Sequence, residues 1–418
     1  MLIKTVLNRL YRFKSFVYGE CRLVEGERGL ELEVTIEARR NGRTVCSGCG
    51  YAGAGCYDRR PARRYEFVPL WGLRVFFVYA PRRVNCPGCG ITIERVPWAE
   101  GKNQTTIPYK LFLSHWARKL CWQEVASEFR TTWQQVFRAI EYVVQWGLEH
   151  RDLSGVTAIG IDEILTNRGH HYGTLVYQID AHCRRLLWVG KERTAKTLLR
   201  FFRIFGRERS SNIQYVCSDM WKAYLKVVKK KLPDAVHILD RFHIVANLNK
   251  ALNEVRAEES KRLSREGYEP LLKGSRWCFL KRAENLTKNQ RYTLRELLQY
   301  NLKSVRAYLL KEDFQQFWKY TSPTWAGRFL DAWCTRVMRS RIEPIKKQAR
   351  SIRKHKQLIL NWFRAKKLFN SGIVEGLNCK AKLTMRKAYG FRTFDALEIA
   401  LYHQLGALPE PQMDHRFW

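Results

Sequence analysis

Three acidic residues sit where a sheet-based phosphoryl site would put them. Asp162 follows the apolar run Ala158-Ile-Gly-Ile161, and Asp219 follows Val216-Cys-Ser218. Glu375 lies within Asn370-Ser-Gly-Ile-Val-Glu-Gly-Leu-Asn378, near the start of a helical segment. Carboxylates at the ends of neighbouring strands project into one cleft, and a helix beside the sheet can add a third. Three such acids can hold two divalent cations, Mg²⁺ or Mn²⁺. Two ions activate an attacking oxygen and stabilise the leaving oxygen of a phosphodiester. Glu163 could replace Asp162 on spacing alone, but strand alternation points it to the opposite face. A strand-end aspartate is also an ordinary turn or cap residue, so the chemistry rests on the three acids together.

Four of the twelve cysteines form two pairs, Cys46-Ser-Gly-Cys49-Gly and Cys86-Pro-Gly-Cys89-Gly. Two intervening residues let both sulfurs of a pair face one point, and the following glycine permits the turn. Two such knuckles complete a tetrahedral S₄ site of the kind Zn²⁺ prefers, a structural rather than catalytic metal. Cys56 is an alternative ligand. The other cysteines are scattered singly, the usage of a reduced chain without a disulfide framework.

The elements that must position these groups divide the chain by character. Residues 1–100 are rich in β-formers, with strand-like runs at Leu30–Ala38 and Leu70–Tyr79, and predict a zinc-ribbon domain. Residues 101–150 are the next expected domain, and 108–146 read as helices. Trp122–Phe129 and Trp133–Val144 flank a short turn, and the second helix would expose Gln134, Gln135 and Arg138 to a major groove in a helix-turn-helix reading. An ordinary helical hairpin has the same pattern. From Val156 the pattern becomes α/β. Strands are expected at Val156–Ile161, Tyr172–Ile179, Arg185–Val189, Asn212–Cys217 and Ala235–Leu239, with helices at Thr194–Phe205 and Trp221–Lys231. That order is the one expected of an RNase H-like mixed sheet.

Strand signals then disappear until the end of the chain. The expected organisation is a first core segment at 151–245, an all-α insertion at 246–365, and a final core segment at 366–418 carrying Glu375. The fold class is therefore multidomain α+β and α/β. An RNase H-like core is interrupted by a helical insertion and preceded by a β-rich zinc ribbon and a helix-turn-helix.

The 418 residues carry 75 Lys+Arg against 39 Asp+Glu, a net charge of +36. The end of the insertion is especially basic: residues 328–367 hold 13 Lys/Arg and 2 Asp/Glu, net +11. A field of that sign attracts polyanions, and nucleic acid is the default partner. No apolar run approaches the ~18–20 residues of a membrane span, and the first ten residues lack a signal-peptide core. A soluble, intracellular protein with no membrane partner is expected.

Several ordered motifs carry a resemblance. Gly160-Ile-Asp-Glu163, Arg168-Gly-His-His-Tyr172, Cys217-Ser-Asp-Met220, Asp240-Arg-Phe-His243, Val374-Glu-Gly-Leu-Asn378 and Arg386-Lys-Ala-Tyr-Gly-Phe-Arg392 look like those of the ISL-three insertion-sequence transposases. That family also carries an N-terminal zinc ribbon and a helix-turn-helix. The resemblance implies a DDE transposase whose triad matches Asp162, Asp219 and Glu375. The first interval is 219 − 162 = 57. The second, 375 − 219 = 156, fits only with a domain inserted before the glutamate.

Further roles follow from the same likeness. Asp240 and His243 match a shared motif after the fifth strand, as a proton relay, a DNA contact or a structural hydrogen bond. His170 and His171 resemble family residues, though solvated loop histidines read the same way. Lys382, seven residues after Glu375, is placed to meet a phosphate near the metals or simply to be solvated. The implied activity is binding to double-stranded DNA at terminal inverted repeats, metal-dependent cleavage, and strand transfer to target DNA. A dimer or larger assembly would synapse two ends, in the bacterial cytoplasm at the nucleoid. A domesticated, DNA-binding regulator and an RNase H-like structure-specific nuclease are the other classes considered. The acidic triad argues against the first, and the paired DNA-reading modules against the second.

Overall fold

The computed structural model describes residues 2–26, 29–167, 171–268, 270–366 and 371–418. The chain forms two compact units, residues 1–152 with 381–418, and residues 153–380.

In the first unit, helix α1 (Ile3–Leu10) leads into β1 (Phe16–Gly26), β2 (Gly29–Ala38), β3 (Gly55–Arg59), β4 (Arg63–Leu70), β5 (Leu73–Tyr79), β6 (Arg82–Cys86) and β7 (Gly90–Ile93). Helices α2 (Ile107–Ala117), α3 (Trp122–Glu128) and α4 (Trp133–His150) follow. The strands make a four-stranded sheet, β1-β2-β5-β4, and a three-stranded one, β3-β6-β7. The run expected as one strand at Leu70–Tyr79 instead begins with a hairpin turn. Trp71 and Gly72 both take positive φ, 50° and 78°, the pairing a tight two-residue hairpin loop requires. The fully buried Trp98 anchors this region, with the rings of Phe13, Phe16, Tyr65 and Tyr79 at 5.0–5.9 Å.

The second unit opens with β8 (Ala158–Asn167), β9 (His171–Asp180) and β10 (Cys183–Lys191). Next come α5 (Ala195–Phe205), α6 (Arg207–Ser211), β11 (Tyr215–Ser218), α7 (Lys222–Lys231) and β12 (Val236–Leu239). The sheet order is β10-β9-β8-β11-β12. The first three strands pair antiparallel, while β8, β11 and β12 run parallel. Odd-numbered residues of β8, Ile159 and Ile161, enter a core with Phe201, Tyr224 and Val228 from α5 and α7. Even-numbered residues face the other way, as period-two geometry requires.

From Arg241 to Arg364 every regular element among the described residues is helical. The α-helices are α8 (Arg241–Arg265), α9 (Arg276–Leu280), α10 (Lys288–Leu297), α11 (Lys303–Gln316), α12 (Pro323–Arg339), α13 (Glu343–Lys354) and α14 (Lys356–Arg364), with short 3-10 turns at Ala283–Asn285 and Phe317–Lys319. The buried Glu259 of α8 accepts from the Lys303 and Ser304 N–H groups and the Ser304 hydroxyl, at 2.6–2.8 Å. It thus satisfies the open donors at the start of α11 and favours that helix end electrostatically. Helix α15 (Ser371–Lys387) carries the chain back to the first unit, where α16 (Phe394–Leu405) buries Leu397, Leu401 and His403.

The segment expected as the end of the core, 366–418, is therefore divided. Ala381–Trp418 packs within the first unit. His403 Nε2 lies 2.9 Å from the Ser114 hydroxyl, and Arg118 pairs with Glu410 at 2.7 Å. No helix among the described residues is long and apolar enough to cross a membrane.

Candidate active site

Register explains how the acids meet. Ser218 of β11 pairs with Ile161 of β8 and with Leu239 of β12. The next residues on these three adjacent parallel strands are Asp162, Asp219 and Asp240, so three carboxylates form a row at the carboxyl ends of the parallel pairing. The expectation that Asp162 ends its strand needs a correction. Strand β8 continues to Asn167 against β9, and it is the parallel partner that stops at Ser218.

Asp162 is buried, and its oxygens are held from two elements. Oδ1 accepts from the Glu163 N–H at 2.8 Å, and Oδ2 accepts from the Asn378 amide of α15 at 2.5 Å. Asn378 Oδ1 in turn accepts from the buried Tyr177 hydroxyl at 2.7 Å. Burial pushes the Asp162 carboxyl up, and Asp240 and Asp219 push it further, against the Glu163 N–H and His243. His243 Nε2 stands 3.9 Å from Asp162 and 3.7 Å from Asp240. Asp240 caps α8, accepting from the Phe242 N–H at 2.7 Å, which fixes both itself and the histidine one turn on.

Asp219 accepts from the Trp221 N–H at 2.9 Å and from Arg193 at 2.8 Å. The same guanidinium pairs with Glu163 at 2.8 Å and lies 4.6 Å from the Trp221 ring centroid. Glu163 thus sits on the opposite face of β8 from Asp162, yet shares a cation with Asp219. Burial first, then Asp219, raise its carboxyl to about 8.

Helix α15 approaches β8 very closely at Gly160. A Cβ there would stand 2.6 Å from the Val374 side chain, so only glycine admits the helix at this distance. Glu375 follows Val374 and lies one helical turn before Asn378, on an exposed part of α15. Among the described residues no hydrogen bond ties Glu375 to the aspartate row, so the structure does not by itself bring it into contact with Asp162 or Asp219. Lys382 is exposed on the same helix, and His171 is exposed at the start of β9. His170 lies outside the described residues.

Sequence reasoning missed Arg193, which follows β10 and carries no periodic signal. It also assigned no role to Asn378, although that residue ends one of the motifs. Asp162, Asp219 and Asp240 gather at one end of the parallel pairing, with His243 beside two of them and Arg193 beside the third. A row of carboxylate oxygens of this kind suits a divalent ion with oxygen ligands.

In the first unit Cys46, Cys49, Cys86 and Cys89 come together, with ligand atoms all within 4.8 Å of one another. Sulfurs around a tetrahedral zinc at ~2.3 Å would stand about 3.8 Å apart, so the quartet fits such an ion. The Cys49 N–H is the main influence drawing the Cys46 thiol down to about 7, while Cys49 and Cys46 push Cys89 up to about 12. Cys56 lies outside the group, its thiol donating to the Asp58 carbonyl.

At the helix pair, Thr132 caps α4 by accepting from the Gln135 N–H. Gln134 and Arg138 are exposed. The Gln135 amide instead turns inward, donating to Glu66 at 2.7 Å and Thr105 at 3.0 Å.

Comparison with known proteins is consistent with the motifs. Residues 159–401 match the sequence model of the ISL-three DDE transposases, described as a transposase. The transposase for insertion sequence element IS1001 of Bordetella parapertussis is 28% identical over 349 residues, covering 82% of this chain and 85% of the relative. The transposase for insertion sequence element IS1557 of Mycobacterium tuberculosis is 31% identical over 379 residues, covering 84% and 83%. The chain belongs to the ISL-three family of insertion-sequence transposases.

Proposed function

We propose that this transposase binds the terminal inverted repeats of its element and performs metal-dependent phosphodiester cleavage and strand transfer with Asp162, Asp219 and Glu375. The observation that carries the proposal is the row of aspartates where the parallel pairing of β8, β11 and β12 stops, with Asp162 tied by Asn378 to the helix that bears Glu375. The three-antiparallel, two-parallel order of the sheet supports an RNase H-like reading of residues 151–245. The domain divisions, with a helical insertion at 246–365, belong to the same proposal.

Asp162, Asp219 and Glu375 would hold the Mg²⁺ or Mn²⁺ ions, which supply Lewis acidity to an in-line displacement at phosphorus. The chain's own contribution is positional. Asn378 and the Glu163 N–H fix the Asp162 rotamer, and the Trp221 N–H fixes that of Asp219. His243, between Asp162 and Asp240, is the group able to move a proton at this centre; Lys382 is assigned a phosphate contact.

Water attacks first at the element's end, and the freed 3′-hydroxyl then attacks target DNA. A zinc ribbon on Cys46, Cys49, Cys86 and Cys89 would brace the reading module, with Gln134 and Arg138 facing the groove and Gln135 bracing from behind. Two chains would synapse two ends. The test is Mg²⁺-dependent nicking of a labelled inverted-repeat duplex, with binding measured in parallel. Loss of nicking on Asp→Asn substitution, with binding intact, is the expected result.

A further inference from the structure

The beginning of α8 leaves an aromatic ring unburied. Phe242 is 51% exposed, although burying a phenylalanine contributes about 2 kcal/mol. Phe242, Val245 and Asn249 recur at helical spacing along one wall of a groove of about 840 Å³, which Glu375 also lines. The Asn249 side-chain oxygen on that wall is buried without a hydrogen-bond partner among the described residues.

Beside the ring stands an unusual cation. Arg241 is held over the rings of Trp318 and Trp362, at 4.9 and 5.8 Å from their centroids. It makes no ion pair among the described residues. Burial, and then the neighbouring Arg282, disfavour its charge. The other charges of the groove are largely accounted for. Lys311 pairs with Glu312 at 2.5 Å, and Arg282 with Glu284 at 3.4 Å. Arg241 and the exposed Lys319 are left facing the groove, with Glu375 at its rim.

A guanidinium pre-positioned on aromatic rings, with no carboxylate partner among the described residues, is suited to hold a phosphate. An exposed aromatic beside a cationic track is how proteins hold bases outside a duplex. The groove volume falls within the ~300–1,000 Å³ usual for small-ligand sites, enough for a nucleotide but not a duplex.

We propose that this groove takes an unpaired nucleotide of the DNA strand being processed, its base stacked on Phe242 and its phosphate held by Arg241 and Lys319. The inference rests on the reading of Glu375 as part of the cleavage site, because the groove leads the strand past that residue. It gives the Asp240-Arg-Phe-His243 stretch two outputs: Asp240 and His243 face the acids, while Arg241 and Phe242 face the strand. Asn249, two turns further along α8, is positioned to hydrogen-bond a base edge.

The test uses the full-length protein and a single-stranded thymidine decamer carrying 5-iododeoxyuridine, with a duplex decamer of the same length alongside. Ultraviolet crosslinking of the single strand should map to the peptide containing Phe242. Phe242→Ala should abolish that crosslink, and Phe242→Tyr should restore it. Phe242→Ala and Lys319→Gln, both on exposed side chains, should each weaken single-strand binding roughly ten- to a hundredfold while duplex binding changes less than twofold. Arg241→Gln should do the same, and thermal unfolding of that variant reports any loss of its packing on Trp318.

A crosslink elsewhere, or single-strand affinity and end cleavage unchanged in Phe242→Ala, overturns the inference. The parallel Asp162→Asn protein separates the two claims. If it stays active while the Phe242 effects appear, the acid assignment fails. If it is inactive while Phe242→Ala behaves as wild type, the groove fails.

Discussion

Asp162 depends on two donors, and one of them, Asn378, is itself fixed by Tyr177. Asn378→Ala leaves Asp162 Oδ2 and the Tyr177 hydroxyl unpaired in a buried place, which should cost about 1–3 kcal/mol in urea unfolding and slow cleavage at least tenfold. Tyr177→Phe removes only the outer bond and should cost about 1 kcal/mol.

Two buried histidines set a pH limit. Burial lowers His237 to about 4 and His403 to about 3. The unfolded chain takes up these protons near pH 6.5, whereas the folded chain resists, so their stabilisation is full above about 6.5. It declines as pH falls from there toward about 4 for His237 and about 3 for His403. These shifts correspond to up to about 3 kcal/mol for His237 and about 5 kcal/mol for His403. Chemical denaturation across pH 7.5 to 4.5, compared between the wild type and a His237→Gln, His403→Gln double variant, isolates this decline from the opposite contribution of Glu163, whose raised carboxyl gains stability as pH falls. The double variant should lose less stability on acidification than the wild type; an identical pH dependence in the two would contradict the burial account.

At the scale of elements, close approach is the controlling fact. Gly160→Ala would force α15 off β8, because its Cβ meets Val374 at 2.6 Å. Destabilisation of about 1–3 kcal/mol and a loss of cleavage larger than the loss of DNA binding are expected. The cysteine quartet gives an independent element-level prediction. Purified protein should carry one Zn²⁺, and Cys46→Ser with Cys86→Ser should lose it together with the folded state of residues 44–95. A full zinc content in that double variant would contradict the assignment.

Most elements were legible because their patterns are local. Apolar strand runs and the 3.6-residue spacing of α5 and α7 depend on near neighbours alone. The hairpin at Trp71–Gly72 was not legible, since tryptophan gives no warning of positive φ. Nor was the place of residues 381–418, which is set by contacts such as Ser114 with His403, 289 positions apart. At the site, Asp219 was legible as the residue after a short apolar strand, whereas the run of β8 beyond Asp162 to Asn167 was not. Nor was Arg193, because a single loop arginine that bridges two acids has no sequence period.

The whole molecule carries +36, and polyelectrolyte binding follows from that charge. With six or more phosphate contacts, affinity for duplex DNA should fall about a thousandfold between 50 and 200 mM salt. Gln134→Ala and Arg138→Ala should reduce preference for the terminal repeat without changing that slope by more than about one unit. These substitutions test end recognition better than truncation at residue 150, because residues 381–418 fold with the N-terminal unit.

The central claim is that three particular acids cut DNA. The measurement is Mg²⁺-dependent nicking at a labelled inverted-repeat end by Asp162→Asn, Asp219→Asn, Glu375→Gln and Glu163→Gln, with binding followed on the same duplex. The account predicts at least a hundredfold loss, about 3 kcal/mol of transition-state stabilisation, for each of the first three, with affinity retained. Glu163→Gln, which keeps its contact with Arg193, should retain most activity. Wild-type nicking by Glu375→Gln, or an inactive Glu163→Gln beside an active Asp162→Asn, would contradict it.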